Sequence, residues 1–245
     1  MATALVLLHA FPLNSHLWDG QVDFLRDAGY TVVAPDLAGF GQSQLPATAS
    51  LLESVQPVLD GLSSPAVFAG LSMGGYMLME ILRNAPDAVA GAVFIDTKAT
   101  ADSEQARATR LEMARAMDSS PDMAALADTL LPNLLGQTTM SSRTEVVSTV
   151  RGWIEQAPAA AVANAQRMMA DRLDSVPVLR RYEGLAAVVY GSEDTLSPKA
   201  EQAVMLEAMP QAVAREIPGV GHLSAVEDAD AVNDILLDIL RDWLG

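Results

Sequence analysis

Gly70-Leu71-Ser72-Met73-Gly74-Gly75 joins an apolar run, Ala66 to Ala69, to a helical-looking segment, Tyr76 to Asn84. Strand, glycine-flanked turn and helix with a serine at the tip make the pattern of a nucleophile elbow. Small residues at Gly70 and Gly74 let the backbone fold sharply and let the helix approach the strand closely. That geometry pushes the serine hydroxyl out of the sheet, beside the backbone N–H groups of the helix start. Taken alone, Gly-x-Ser-x-Gly is a weak signal that any short glycine-rich turn can match. The rest of the chain decides its meaning.

On either side of this turn, buried strands alternate with amphipathic helices. Leu5-Val6-Leu7-Leu8 is a continuous apolar run, as expected of a strand covered on both faces. Asn14 or Ser15 can cap a helix carrying Trp18, Val22 and Leu25 and closed by Gly29. Thr31 to Ala34 reads as a strand, Leu51 to Leu62 as a helix, and Val89 to Ile95 as a strand ending in Asp96. From Lys98 to Arg181 buried strands vanish. Helical segments replace them at Glu104 to Met117, Met123 to Leu131, Arg143 to Gln156 and Ala159 to Arg172. The alternation then resumes with a strand at Leu185 to Tyr190, a helix at Lys199 to Met209, a strand at Val213 to Ile217 and a closing apolar-striped helix. The pattern predicts an α/β fold with a parallel sheet (residues 1–97 and 182–245) interrupted by a helical cap (98–181).

Composition narrows the function. The net charge is −16, and residues 98–181 hold equal numbers of acidic and basic side chains, so the whole imbalance lies outside them. Such a surface is unsuited to nucleic acid or anionic membranes, since both demand a basic face. No cysteine is present, which excludes disulfides and thiolate metal sites. The first five residues carry no basic charge and no apolar stretch is long enough to span a bilayer, so a cytoplasmic protein is expected. Gly39-Phe40-Gly41 lacks the third glycine of a dinucleotide fingerprint, because Gln44 occupies that position.

A serine hydroxyl needs a base to take its proton, and that base needs a third group to orient it. The chain has only three histidines. At the predicted carboxyl ends of strands, which open on one side of a parallel sheet, lie Asp36, Asp96, Asp194 and His222. The order Ser72, Asp194, His222 is the order in which an elbow fold carries nucleophile, acid and base.

With these residues in view, the chain resembles the α/β-hydrolase family over nearly its full length. The elbow, Gly191-Ser192-Glu193-Asp194-Thr195-Leu196-Ser197-Pro198 and Gly219-Val220-Gly221-His222 match its nucleophile, acid and histidine loops. His9-Ala10-Phe11-Pro12 resembles its oxyanion loop, with Ala10 in place of the usual glycine. The resemblance implies a Ser72–His222–Asp194 triad, with the backbone N–H groups of Phe11 and Met73 as oxyanion donors. It also implies six parallel strands, the family's first two being absent. Within the family the chain is most similar to 3-oxoadipate enol-lactonase-like hydrolases, through His9 to Ser15, Asp96 to Asp102 and Gly219 to Glu227.

The expected activity is hydrolysis of a small-molecule carboxylic ester or lactone through an acyl-enzyme, with no cofactor and no metal, by a monomer or homodimer. Carbon–carbon bond hydrolysis of a diketone, perhydrolysis at the same site and a non-enzymatic binding protein are the alternatives. Asp96 is a rival for the acid by strand position. His9 is expected to brace the oxyanion loop, and His16 to lie on the surface. Among cap residues, Trp153, Arg107 and Met113 are the candidates for substrate contact, together with the cap arginines Arg110, Arg143 and Arg151. An anionic substrate requires a cap arginine to face the pocket.

Overall fold

A computed structural model describes residues 3–48 and 50–245. Six strands form one parallel sheet: β1 (Leu5–Leu8), β2 (Val32–Val33), β3 (Ala66–Leu71), β4 (Val89–Ile95), β5 (Leu185–Gly191) and β6 (Val213–Ile217), in the order β2-β1-β3-β4-β5-β6. The order in which strands are added reverses at β1, so β1 and β3, paired in parallel with Leu8 opposite Gly70, flank the switch point. β1 and β3 are buried along their whole length, which explains their unbroken apolar sequences. Each fully buried aliphatic side chain there contributes about 1.5–3 kcal/mol.

Two sets of helices cover the sheet. Helix α1 (Asp19–Asp27) packs on the closing helix α12 (Ala229–Leu244), while α2 (Leu51–Asp60) packs on α3 (Met73–Asn84). Right-handed crossovers place these pairs on opposite faces. Between β4 and β5 lie α4 (Glu104–Ser119), α5 (Met123–Leu134), α6 (Gln137–Ser142), α7 (Thr144–Gln156), α8 (Ala159–Ala170) and α9 (Val176–Leu179). There α4 packs on α8 and α5 on α7. After β5 come α10 (Lys199–Ala208) and, beyond β6, the short α11 (Ser224–Glu227). No described helix is long and apolar enough to cross a membrane.

Several boundaries differ from the sequence expectation. The expected strand at Thr31 to Ala34 is in register with β1 only at Val32 and Val33, opposite Leu5 and Val6, with the Thr31 carbonyl accepting from Leu5 N at 2.8 Å. Helix α5 runs through Pro132 to Leu134 rather than stopping at Leu131; a proline this close to a helix end removes one hydrogen bond without breaking the apolar stripe. Helix α8 ends at Ala170, short of Arg172.

The turn after β3 packs closely against its neighbours. A Cβ added to Gly74 would lie 2.1 Å from the Leu8 carbonyl oxygen, and one on Gly70 2.4 Å from the Gly74 carbonyl oxygen. Only glycine lets α3 come this close to β1 and β3. Gly152, inside α7, has open space around it. In urea denaturation, Gly74→Ala should therefore lose about 3 kcal/mol or fail to fold. Gly152→Ala should gain about 0.5–1 kcal/mol through helix propensity.

Candidate active site

Ser72 connects β3 to α3 with φ +54°, one of two non-glycine residues with positive φ among those described. Its backbone is over-determined. The Ser72 N–H donates to Ile95 O (2.9 Å), and its carbonyl accepts from Gly75 N (2.9 Å), Tyr76 N (3.2 Å) and the Thr97 hydroxyl (2.8 Å). These bonds hold the residue in a conformation that a free chain avoids.

His222 and Asp194 reach Ser72 from two other loops. The Ser72 hydroxyl lies 2.7 Å from His222 Nε2, and His222 Nδ1 lies 2.8 Å from Asp194 Oδ2. Ionised Asp194 only accepts hydrogen bonds, so Nδ1 carries the proton and Nε2 accepts from the serine. The other Asp194 oxygen accepts from Leu196 N (2.8 Å) and Ser197 N (3.0 Å), and the Ser197 hydroxyl also donates to the carboxylate. All three residues are nearly buried, with Ser72 at 9%, Asp194 at 6% and His222 at 3% exposure.

Burial disfavours charge on His222, but the Asp194 charge and hydrogen bond, with smaller contributions from Asp96 and Glu227, raise its pKa above 6.5 overall. Burial would raise Asp194, yet the His222 charge and hydrogen bonds from His222 and Ser197 bring it below the usual carboxylate value. Asp96, the rival acid, has no hydrogen bond to His222 among the described contacts. Its two oxygens accept instead from Gly191 N (2.8 Å) and Ser224 N (3.0 Å), bridging the acid and histidine loops. Burial, then the nearby Asp194 charge, raises its pKa to about 7.

The loop after β1 is fixed by His9. Its Nδ1 lies 3.0 Å from Ala10 O, and its Nε2 accepts from Leu37 N at 3.1 Å. Burial lowers its pKa to about 4, so it stays neutral and acts as a strut. Ala10 lies outside the left-handed region, so its side chain imposes no strain where a glycine was expected. Phe11 follows, joined to Pro12 by a cis peptide bond, and lines the same cavity as Ser72. Met73 opens α3, so its N–H belongs to the unpaired first turn of a helix. His16 is exposed and contacts Asp19 at 2.9 Å.

Ser72 and His222 open into a cavity of about 330 Å³ between the sheet and the inserted helices. Ala106, Thr109, Arg110 and Met113 of α4 supply one wall, and Leu130 and Leu134 of α5 another. Of the cap candidates Met113 lines the cavity, whereas Arg107 and Trp153 are not among its lining residues. Arg107 is one position out of the stripe formed by Ala106, Arg110 and Met113, and points outward to Asp171 at 2.6 Å. Trp153 sits on α7, which packs behind α5 rather than against the cavity.

Tyr76, Lys98, Asp102 and Gln166, none of them a sequence candidate for the site, also line the cavity. The Asp102 side chain is only 2% exposed and is ringed by Arg110 (2.5 Å), Arg172 (2.7 Å) and Lys98 (3.7 Å). Burial would raise Asp102, but the Arg110 and Arg172 charges and hydrogen bonds keep its pKa below the ordinary value. Three cations against one carboxylate leave this wall positive. Arg172 also stacks over Tyr76, 4.3 Å from the ring centroid. The available signal was position: Lys98 and Asp102 directly follow the carboxyl end of β4, where parallel sheets place ligands. No cluster of histidine and carboxylate ligands suited to a metal occurs among the described residues.

Residues 5–235 match the model of the alpha/beta hydrolase family. The 3-oxoadipate enol-lactonase 2 of Acinetobacter baylyi is 24% identical, over 97% of this chain and 88% of that protein. A thermophilic esterase from Thermogutta terrifontis, solved with malate bound, superposes with a TM-score of 0.93 at 32% identity, covering 100% of this chain and 92% of that one. The enol-lactonase of Burkholderia xenovorans shares the fold, with a TM-score of 0.87 at 24% identity over 98% and 92% of the two chains.

An NMR titration tests the electrostatics directly. The His222 midpoint should lie above 6.5, and Asp194→Asn should lower it, because the carboxylate that favours the imidazolium is gone. With its esterase-like and lactonase-like relatives and a sheet, elbow and inserted helices of this arrangement, the chain belongs to the alpha/beta hydrolase family.

Proposed function

We propose that this hydrolase cleaves a carboxylic ester or lactone through a Ser72 acyl-enzyme. The observation that carries this reading is the hydrogen-bonded relay from Ser72 Oγ to His222 Nε2 (2.7 Å) and from His222 Nδ1 to Asp194 Oδ2 (2.8 Å), opening on the cavity. Ser72 Oγ attacks the carbonyl carbon while its proton passes to His222 Nε2. Asp194 holds the productive tautomer and stabilises the imidazolium. The N–H groups of Phe11 and Met73 receive the oxyanion, each donor being worth about 3–4 kcal/mol in sites of this kind. His222 then protonates the leaving alcohol. A water, deprotonated by the same imidazole, attacks the acyl carbon and returns the carboxylic acid and free Ser72.

The charge of the cavity narrows the substrate to one bearing a carboxylate away from the reacting carbonyl. Lys98 and Arg110 line the cavity and Arg172 supports them from behind, with Asp102 offsetting one of the three charges. Lys98 is the least committed, holding Asp102 only at 3.7 Å. Malate bound to the Thermogutta terrifontis esterase fits the same reading.

Hydrolysis of p-nitrophenyl butyrate and of mono-p-nitrophenyl glutarate tests both parts. Ser72→Ala should lose at least about a thousandfold in kcat on either ester, and the wild type should be labelled at Ser72 by a fluorophosphonate. Retained activity in Ser72→Ala overturns the mechanism. The wild type should prefer the glutarate ester, and Lys98→Met should lose about tenfold or more in kcat/KM for it while leaving the butyrate ester near the wild-type value. Labelling of Ser72 without turnover of any ester or lactone favours carbon–carbon bond cleavage instead.

A further inference from the structure

A buried carboxylate outside the relay joins the histidine loop to the inserted helices. Glu227 ends α11 and is 4% exposed. Its Oε1 accepts from Gly221 N (2.9 Å) and Leu223 N (3.2 Å), the two amides that flank His222. Its Oε2 accepts from Gly136 N (2.8 Å), the residue that opens α6. Its backbone carbonyl accepts from the Arg143 guanidinium at the other end of α6. A second carboxylate makes a parallel link to the acid loop. Glu193, beside Asp194, accepts from Thr138 N (2.8 Å) and from the Thr138 hydroxyl (2.6 Å).

The backbones at this junction touch without side chains between them. A Cβ on Gly221 would lie 2.2 Å from Gly136 N, one on Gly136 2.7 Å from Gly221 N, and one on Gly191 2.2 Å from Gly221 O. The end of β5, the histidine loop and the α5–α6 connection are thus stacked directly on one another. Immediately upstream, α5 ends with Leu134, which lines the cavity.

We propose that Glu227 is a positioning residue for His222, and that it ties the placement of the imidazole to the seating of the α5–α6 connection. The inference rests on His222 serving as the base for Ser72. A buried carboxylate needs its lone pairs satisfied, and here amides from two separate segments satisfy them. If the α5–α6 connection lifts away, Oε2 loses its donor and the side chain that orients the amides on both sides of His222 is released. The imidazole is therefore aimed at Ser72 only while the cavity wall is in place. The Glu227 charge also faces His222, together with those of Asp194 and Asp96, and favours its protonated form.

Two variants of the full chain separate reach from charge. Glu227→Gln replaces one acceptor oxygen with an N–H group that confronts another donor, and it removes the charge. It should lower kcat on p-nitrophenyl butyrate by about tenfold to a hundredfold, with KM changed much less, and should move the His222 midpoint down. Glu227→Asp keeps the charge but is too short to hold both segments. It should lower kcat comparably while leaving the midpoint near the wild-type value. A folded variant of either kind with wild-type kcat overturns the proposal.

Hydrogen exchange in the unmodified protein supplies a measurement that needs no variant to fold. The amides of Gly136, Gly221 and Leu223 should exchange through one shared opening, at a common opening free energy. Gly136 exchanging through a separate, easier opening than the other two overturns the coupling. If the wild type itself neither hydrolyses esters nor takes a fluorophosphonate at Ser72, the reading of the active site fails, and the exchange result still decides whether the junction is a single unit.

Discussion

In a sheet whose strands all run one way, every carboxyl end opens along the same edge, so residues distant in sequence arrive together there without further contrivance. Here that edge receives the loop bearing Phe11, the elbow bearing Ser72, and the loops bearing Asp96, Asp194 and His222. The register sharpens the convergence: Leu8 pairs with Gly70, Leu71 with Ile95 and Gly191 with Ile217. Strand pairing thus sets the loops' spacing before any side chain at the site makes a contact. The close approach of Gly74 to the Leu8 carbonyl depends on the same register.

Electrostatics divides this edge into two neighbourhoods. Around His222 the buried groups are acids: Asp194 in the relay, Asp96 bridging two loops, and Glu227 beneath the flanking amides. They favour a positive imidazole. Across the cavity the excess is cationic, with Lys98, Arg110 and Arg172 gathered on Asp102. An anion entering the cavity would meet positive charge at Lys98 and Arg110 and the Ser72 hydroxyl beside His222. The strongly acidic exterior would oppose the approach of such an anion, but that repulsion is screened by salt over about 10 Å, whereas the contacts inside the cavity are screened far less.

The sheet was readable because β1, β3, β4 and β5 are continuous runs of apolar or small residues, with Pro65 before β3, Asp96 after β4 and Gly184 before β5. The elbow was readable because its glycines are required by backbone contact, which leaves few alternatives at Gly70 and Gly74. Short helices such as α6, α9 and α11 escaped notice, since four to six residues give no periodicity to detect. The cavity wall was legible only in part. Met113 and Arg107 both lie on an amphipathic helix, and which of them turns inward depends on how α4 packs against α8. Glu227 was visible only as one residue of a familiar stretch. Its bond to Gly136 joins segments 91 positions apart, beyond the reach of any local pattern.

Ser72 and Asp96, the two described non-glycine residues with positive φ, directly follow the paired residues Leu71 and Ile95 on neighbouring strands. Each such conformation costs on the order of 1–3 kcal/mol. The fold therefore keeps its conformational tension in one small place, at the mouths of two central strands, rather than dispersed among surface turns. A protein arranged in this way holds less stability than its sheet could supply, and glycine at Asp96 would recover backbone ease only by cutting the bridge between the acid and histidine loops. Backbone strain and the hydrogen bonds that join the acid and histidine loops thus meet at positions side by side on neighbouring strands.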